Sequence, residues 1–383
     1  YAAVHTYMTG ETHVAPLTGL KVIEAASFLS GPMAGMMLAD LGATVVKVEP
    51  PRGDPYRRFG KPYGDSSLLF KATNTNKTSV ALDLKSEVGL AALFDLLADA
   101  DVLITNWRPS VAPKMGLTPE RVRSDFPQLI WCRVSGYGQD GPRSDLPAYD
   151  GIVQARSGSA ISGTDTPMNT NNNVADKVSA MFAAQTITAA LHQRERTGTG
   201  SICDMAMVDA MAYFYGADIS SGHRVVGAEP DADVAVQVLS DSNFETAEGY
   251  LTLAPVTGRQ LRRAMESAGC ADAFGEVMDA PRAETFNVFA DRIGPKLMER
   301  AAVEWEDIFA ENDVPAAAVR DFAQHIEDPQ TIHNQTYQTV ADPSLGADWQ
   351  MVRFPALFDG EIAETAELPS PTSTEPIVGD MPG

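Results

Sequence analysis

Asp176 is the first residue to weigh. It falls in the opening turn of an expected helix, "NNNVADKVSAMFAAQTITAALHQRERTGTG" (171–200), just after three asparagines. An acid in a first helical turn offsets the helix macrodipole, and that alone explains many such residues. The same location suits a nucleophile, because a helix N-terminus keeps a partly desolvated carboxylate ionised. Both readings stand on the pattern. A second cluster is "NWRPSVAPKMG" (106–116), which brings Asn106, Trp107, Arg108 and Lys114 together in a proline-containing stretch. An aromatic face beside two cations suits a ligand with a planar base and phosphates. Trp107 serves equally well as a core anchor. A third is a run of bases: Lys47, Arg52, Arg57, Arg58, Lys61, Lys71, Lys77 and Lys85. It reads as a docking site for an anion or as a solvated rim of ordinary ion pairs. The glycines of "SGYGQDGP" (135–142) turn the chain, or aim backbone amides at a ligand.

The surroundings narrow the chemistry. The net charge is −22 over 383 residues. Such a surface repels nucleic acid and anionic membranes, which excludes both as expected partners. An anionic ligand would need the bases concentrated locally. Cys132, Cys203 and Cys270 are odd in number and far apart, so a reducing, cytoplasmic setting is expected. The six histidines form no HxxxH or HxH pair, so no metal site is expected. GxSxG, Walker A, HExxH and GxGxxG motifs are lacking. The first residues, "YAAVHTYMTGETHVAP", lack the basic region and apolar run of a signal peptide. No apolar run approaches the roughly 20 residues of a membrane span.

The elements that must position these groups alternate in type. Strands are expected at 20–26, 44–49, 78–84, 101–106 and 129–136, and helices at 31–42 and 86–100. Short apolar strands separated by helices predict an α/β fold, a doubly wound parallel sheet covered on both faces. Ligands of such sheets bind at the carboxyl ends of the strands, here near 26–32, 49–54, 84–86, 106–110 and 135–142. The 171–200 helix and "SICDMAMVDAMAYFYGA" (201–217) close this half. The expected division is a large Rossmann-like domain, 1–219 completed by 330–383, a polar linker at 220–235, and a small α+β domain at 236–329. The small domain carries an expected strand at 249–256 and helices at 258–268 and 297–311. The tail, 340–383, has few periodic runs and is expected to wrap over another surface.

The order of motifs resembles the family III CoA-transferases, also called CaiB/BaiF, which include formyl-CoA:oxalate and carnitine CoA-transferases. The segments are "GLKVIEAASFLSGPMAGMMLADLGATVVKVEPPRGDPYR", "NTNKTSVALDLKSEVG", "DVLITNWRPSVAPKMG", "VSGYGQDGP", "YDGIVQARSG" and "VADKVSAMFAAQTITAALHQRERTGTG". The likeness runs through 17–217 and is fainter through 236–365. It implies a Rossmann-like domain with a smaller inserted domain, and two chains interlocked as a homodimer. It implies an enzyme that moves CoA from an acyl-CoA to a free carboxylic acid, with CoA as substrate and no permanently bound cofactor. Asp176 would be the catalytic carboxylate, passing through a mixed anhydride and an aspartyl-CoA thioester. Asn74 and Lys77 would lie beside the nucleotide, with Asn106, Trp107, Arg108 and Lys114 at the adenine and phosphates. Leu29 and Ser30 would lie near the thioester, Tyr149 and Asp150 at the active-site end. Arg52 would stand in for an arginine the oxalate enzyme carries where this chain has Pro50. Where that enzyme has glutamine, this chain has Leu29. It also lacks that enzyme's tetraglycine loop and the family's "GEHT" near the C-terminus. α-Methylacyl-CoA racemase is the related alternative, but its "GHD" histidine is Tyr149 here, a poor base at neutral pH. A non-catalytic CoA- or nucleotide-binding protein and a dinucleotide oxidoreductase complete the alternatives.

Overall fold

The computed structural model describes residues 14–161, 166–217, 242–281, 284–363 and 367–369. These fall into two compact units, one of 14–161, 166–216 and the residues from 333 on, the other within 217–332. The expected linker, 220–235, lies outside the described residues.

The first unit opens with β1 (Lys21–Ala25), α1 (Ser30–Ala39), β2 (Thr44–Glu49), β3 (Pro62–Tyr63), β4 (Ser66–Ser67), α2 (Leu68–Thr73) and β5 (Lys77–Ala81). It continues with α3 (Glu87–Leu97), β6 (Val102–Thr105), α4 (Val111–Lys114), α5 (Pro119–Asp125) and β7 (Ile130–Ser135). Then come α6 (Asp150–Ser157), α7 (Val174–Thr197), β8 (Ile202–Ala206) and α8 (Met207–Phe214). The sheet order is β5-β2-β1-β6-β7-β8, and every pairing is parallel. The order reverses between β1 and β6, the switch point where ligands of open α/β sheets bind.

Successive strand residues feed opposite faces. Val22, Ile104 and Ile130 pack with Leu38, Ile187 and Met211 on one side. Ile23, Leu103 and Trp131 pack with Leu93, Leu97 and Val122 on the other. Trp131 is fully buried, and its indole N–H donates to Thr105 Oγ1 at 3.0 Å. The long helix α7 inserts Val178, Ala183, Ile187 and Leu191 into the first of these cores. It ends as its sequence dictates: Gly198 adopts φ 71°, its N–H bonds to the Arg194 carbonyl, and Arg194 and Arg196 lie in the last turn.

The structure adds detail to three expectations. "ICDMA" adds a sixth strand, β8, in the 201–217 segment, to which no element type was assigned; strand pairing with β7 decides it, because the segment alternates weakly. The helix expected at 297–311 runs Ala302–Glu311, starting late because Leu297 ends a preceding helix, Thr285–Leu297, and the Glu304 carboxylate accepts from the Ala301 amide at 3.1 Å at the new start. The tail contains an antiparallel hairpin, Tyr337–Asp342 with Ala347–Val352. It is tied to its own unit by the Lys71–Asp342 ion pair and by the Asn76 amide bonding to the Glu367 carbonyl.

The second unit, taken by itself, is a three-stranded antiparallel sheet of Ala316–Ala318, Tyr250–Leu253 and Asn243–Glu245. Its core gathers Leu251, Leu253, Met265, Phe289, Ile293, Trp305 and Phe309.

Candidate active site

Beneath the β1 end of the sheet lies a buried ion cluster. Glu24, with no exposed side-chain surface, bridges Lys47 at 2.8 Å and Lys77 at 2.6 Å, and Lys47 also meets Asp54 at 3.0 Å. The Lys77 ammonium is further enclosed by the Pro32 and Thr73 carbonyls and Asn74 Oδ1. Arg57 grips Glu49 with two bonds, 2.8 and 2.7 Å, and lies over the Phe70 ring. Burial pushes Glu49 up, yet Arg57 and the Asp54 amide outweigh it and hold its carboxyl at about 2. Burial pulls Lys77 down to about 8 against the pull of Glu24. Four of the eight bases expected to greet an anion, Lys47, Arg57, Lys71 and Lys77, are thus structural ion pairs.

The cluster shapes the loops above it. Asp54 Oδ1 accepts from the backbone amides of Phe28 and Tyr56, at 3.3 and 2.9 Å, and Lys47 donates to the Ala26 carbonyl. Phe28 is held at φ 65°, a left-handed conformation that a bulky residue adopts only when its surroundings impose it. Asn106 binds the next loop to this one: its side chain accepts from the Ser27 amide at 3.0 Å and donates to the Ser27 carbonyl at 2.7 Å.

Above these loops opens a cleft of about 960 Å³. Its walls come from the carboxyl ends of β1, β6 and β7, including Ser27–Ser30, Asn106–Arg108 and Val134–Gly136, so it sits at the switch point. Tyr149, 62% exposed, meets Phe28 edge-on at 5.6 Å, and Tyr56 stacks on Phe59 at 5.7 Å. Gly136 is required by close approach: a Cβ there would stand 2.2 Å from that of Ala148. Among the glycines of that loop, this is one whose role is steric.

Asp176 lines the cleft from the first turn of α7. The residue before that helix, Asn173, is left-handed at φ 51° and provides no side-chain cap. Asp150, at the start of α6 and buried, caps it instead. Asp150 Oδ1 accepts from the amides of Ala175 at 2.8 Å and Asp176 at 3.2 Å. Gln154 donates to Asp150 Oδ2, while its own carbonyl oxygen accepts from the Thr170 amide at 2.9 Å. The sequence reading that a helix N-terminus keeps Asp176 ionised is therefore corrected. Two of the first-turn amides are spent on Asp150, and burial followed by Asp150's charge pushes Asp176 up to about 7, eased by a hydrogen bond from Ser30.

Of the residues expected at a site, Leu29, Ser30, Asn106, Trp107, Arg108, Tyr149, Asp150 and Asp176 line this one cleft. Asn74 and Lys77 do not; they are buried in the ion cluster and present nothing to a ligand. Lys114 and Arg52 are exposed outside the lining, although the Arg52 carbonyl accepts from Arg58, which does line it. Phe28, Tyr56, Arg58 and Phe59 were missed as site residues. Arg58 was visible within the basic run, but the backbone of Phe28 leaves no mark in residue type.

An all-parallel switch-point cleft with a half-buried carboxylate at its floor defines a class, and the comparisons with known proteins agree. CoA-transferase family III matches residues 17–375, and the chain belongs to that family. It is 33% identical to succinate–glutarate CoA-transferase of Agrobacterium fabrum, over 82% of each chain. It is 29% identical to cinnamoyl-CoA:phenyllactate CoA-transferase of Clostridium sporogenes, over 91% of this chain and 88% of that one. The fold superposes on a CaiB/BaiF family protein from Brucella suis with a TM-score of 0.79 at 28% identity, covering 94% of this chain and 96% of the other. The protein is a CoA-transferase, and CoA thioesters are its substrates. No helix among the described residues is long and apolar enough to cross a membrane.

Proposed function

We propose that this enzyme moves CoA from an acyl-CoA to a free carboxylic acid by covalent catalysis at Asp176. The carboxylate attacks the donor thioester, the carbon–sulfur bond breaks, and CoA leaves as thiolate with a mixed anhydride on Asp176. The thiolate attacks the aspartyl carbonyl, giving aspartyl-CoA and releasing the donor acid. The acceptor carboxylate attacks that thioester, and CoA thiolate then returns to the acyl group. Every step exchanges one activated acyl bond for another, so CoA enters only as substrate and no resident cofactor is needed. The reading includes a homodimer in a cytoplasmic setting.

The observation that carries it is Asp176 itself: a carboxyl pushed up to about 7, facing a cleft at the sheet's switch point. A carboxylate of raised basicity is the stronger nucleophile, and at neutral pH a usable share is ionised. Around it, Ser30 offers a hydroxyl and Phe28, Leu29 and Tyr56 offer surfaces that exclude water from an anhydride. Arg58, Trp107 and Arg108 are the cleft groups suited to the nucleotide and its phosphates. The acids named for the relatives, succinate, glutarate and phenyllactate, support a carboxylic acid as acceptor. The α-proton exchange of a racemase has less support, because Tyr149 stands where a basic histidine is needed.

The test is trapping. The protein is incubated with a panel of acyl-CoAs, quenched with hydroxylamine or borohydride, and the modified peptide mapped by mass spectrometry. Modification at Asp176, lost in Asp176→Ala, is the expected result. Deuterium exchange of a 2-methylacyl-CoA without any adduct would point to the racemase instead.

A further inference from the structure

Asp150 does not behave as a ligand contact. It lines the cleft, yet both its oxygens are engaged within the protein: Oδ1 with the Ala175 and Asp176 amides, Oδ2 with Gln154. Gln154 is buried and fixed in turn by Thr170, which its amide meets through both main-chain groups. The chain therefore runs from a loop at Thr170 through Gln154 and Asp150 to the main-chain amide of Asp176 itself. We propose that Asp150 is a positioning residue for Asp176: it fixes the first turn of α7 from outside the helix, and its charge favours the acylated states of Asp176 over the free carboxylate.

The second half follows from charge accounting. Free Asp176 places a second negative charge beside Asp150. When its oxygen pair forms the bond to the acyl carbon, the carbon–sulfur bonding pair departs on CoA, and the negative charge leaves with that thiolate. Asp176 is uncharged in the anhydride and again in the aspartyl-CoA thioester, so repulsion from Asp150 is relieved in both. Among the described residues, the titratable groups coupled to Asp176 are Asp150 from α6 and Tyr56 from the Pro55–Arg58 turn. Burial, then the charges of Asp176 and Asp54, push the Tyr56 phenol up to about 12, so it stays neutral across the working range. Ser30 faces Asp176 from α1 and stabilises its charged form. Asp150 is thus the negative charge to remove.

The experiment compares wild type with Asp150→Asn in the pH dependence of kcat/KM and in the fraction trapped as covalent adduct. Asparagine keeps an oxygen for the two amides and deletes the charge. The expected outcome is an acid limb displaced to lower pH by about half a unit or more, kcat lowered about tenfold, KM for the acyl-CoA within about twofold, and less adduct at equilibrium. An unmoved limb overturns the proposal, as does a raised KM at unchanged kcat, which would make Asp150 a binding group. Should Asp150→Asn fail to fold, Gln154→Met takes its place. It removes the donor that orients Asp150 and is expected to lower kcat without raising KM; unchanged kcat sinks the idea. The proposal rests on Asp176 as acyl acceptor, and the two fail differently. An unlabelled Asp176 in the wild type defeats that reading, whereas a labelled Asp176 with an unmoved limb defeats only the role given to Asp150.

Discussion

Two groups of buried acids in one unit are built to opposite ends. In the cluster beneath β1, Glu24, Glu49 and Asp54 face Lys47, Lys77 and Arg57. At the cleft floor, Asp150 and Asp176 face each other, with neutral donors around them. Paired charges repay part of their desolvation and hold loops still. Like charges without a basic partner cannot, and the strain appears as raised basicity at Asp176. The first group holds loops in place; the second contains the carboxylate proposed to react.

The comparison breaks most visibly at Asp176. Asp176→Ala is expected to lower turnover by about 10³-fold or more in a CoA-transfer assay, with the unfolding free energy at pH 8 unchanged or higher. A stable variant with near-normal turnover would end the covalent reading. The mirror result is expected for Glu24→Gln. It removes the carboxylate paired with buried Lys77 and one of the two paired with buried Lys47, so urea denaturation should show a loss of about 3–5 kcal/mol. A loss below about 1 kcal/mol would mean the cluster is not the support described.

The two groups should also give opposite slopes with pH. Glu49 sits at about 2, below its ordinary 4.5, so its stabilisation is complete above 4.5 and is lost as pH falls towards 2. Glu49→Gln should remove about 3 kcal/mol of that acid-side dependence. Asp176 sits at about 7, above its ordinary 3.8, so stability is greatest below 3.8 and declines as pH rises through 7. Asp176→Asn should flatten that neutral-side decline. Denaturation midpoints between pH 3 and 8 check both signs, and parallel slopes would refute the contrast.

Much of this architecture could be read from residue order. The apolar runs at β1, β2, β6 and β7 are continuous because a parallel sheet buries both faces, and that pattern survives in sequence. β8 did not, since "ICDMA" owes its strand to pairing with β7. At the site, type and position marked Asp176 and the Asn106–Arg108 stretch as candidates with a structural reading left open beside each, and the family resemblance alone chose between them; the structure lines one cleft with both. Lys77 was misleading. Its charge suggested a phosphate contact, but whether a lysine faces a ligand or a glutamate depends on Glu24, 53 residues away in sequence. Asp150 was named only through the family resemblance, and not as the cap of α7, because the vacancy it fills arises from the left-handed backbone of Asn173.

The smallest effect tests where positive charge matters. Arg58 lines the cleft, oriented by the Arg52 carbonyl, whereas Lys114 is exposed at the end of α4 and outside the lining. Both were equally plausible phosphate contacts by residue type. A lone exposed charge contributes at most about 1 kcal/mol and is screened by salt. Lys114→Ala should therefore change KM for an acyl-CoA by less than about twofold at 0.15 M salt, while Arg58→Ala raises it about fivefold. Initial-rate measurements on the two variants decide it. A tenfold rise in KM for Lys114→Ala would bring that lysine into contact with the ligand and extend the binding surface beyond the cleft. Parity between the two variants would instead mean that the negative ligand senses only the summed field of the basic run, and that the orientation of Arg58 by the Arg52 carbonyl has no consequence for binding.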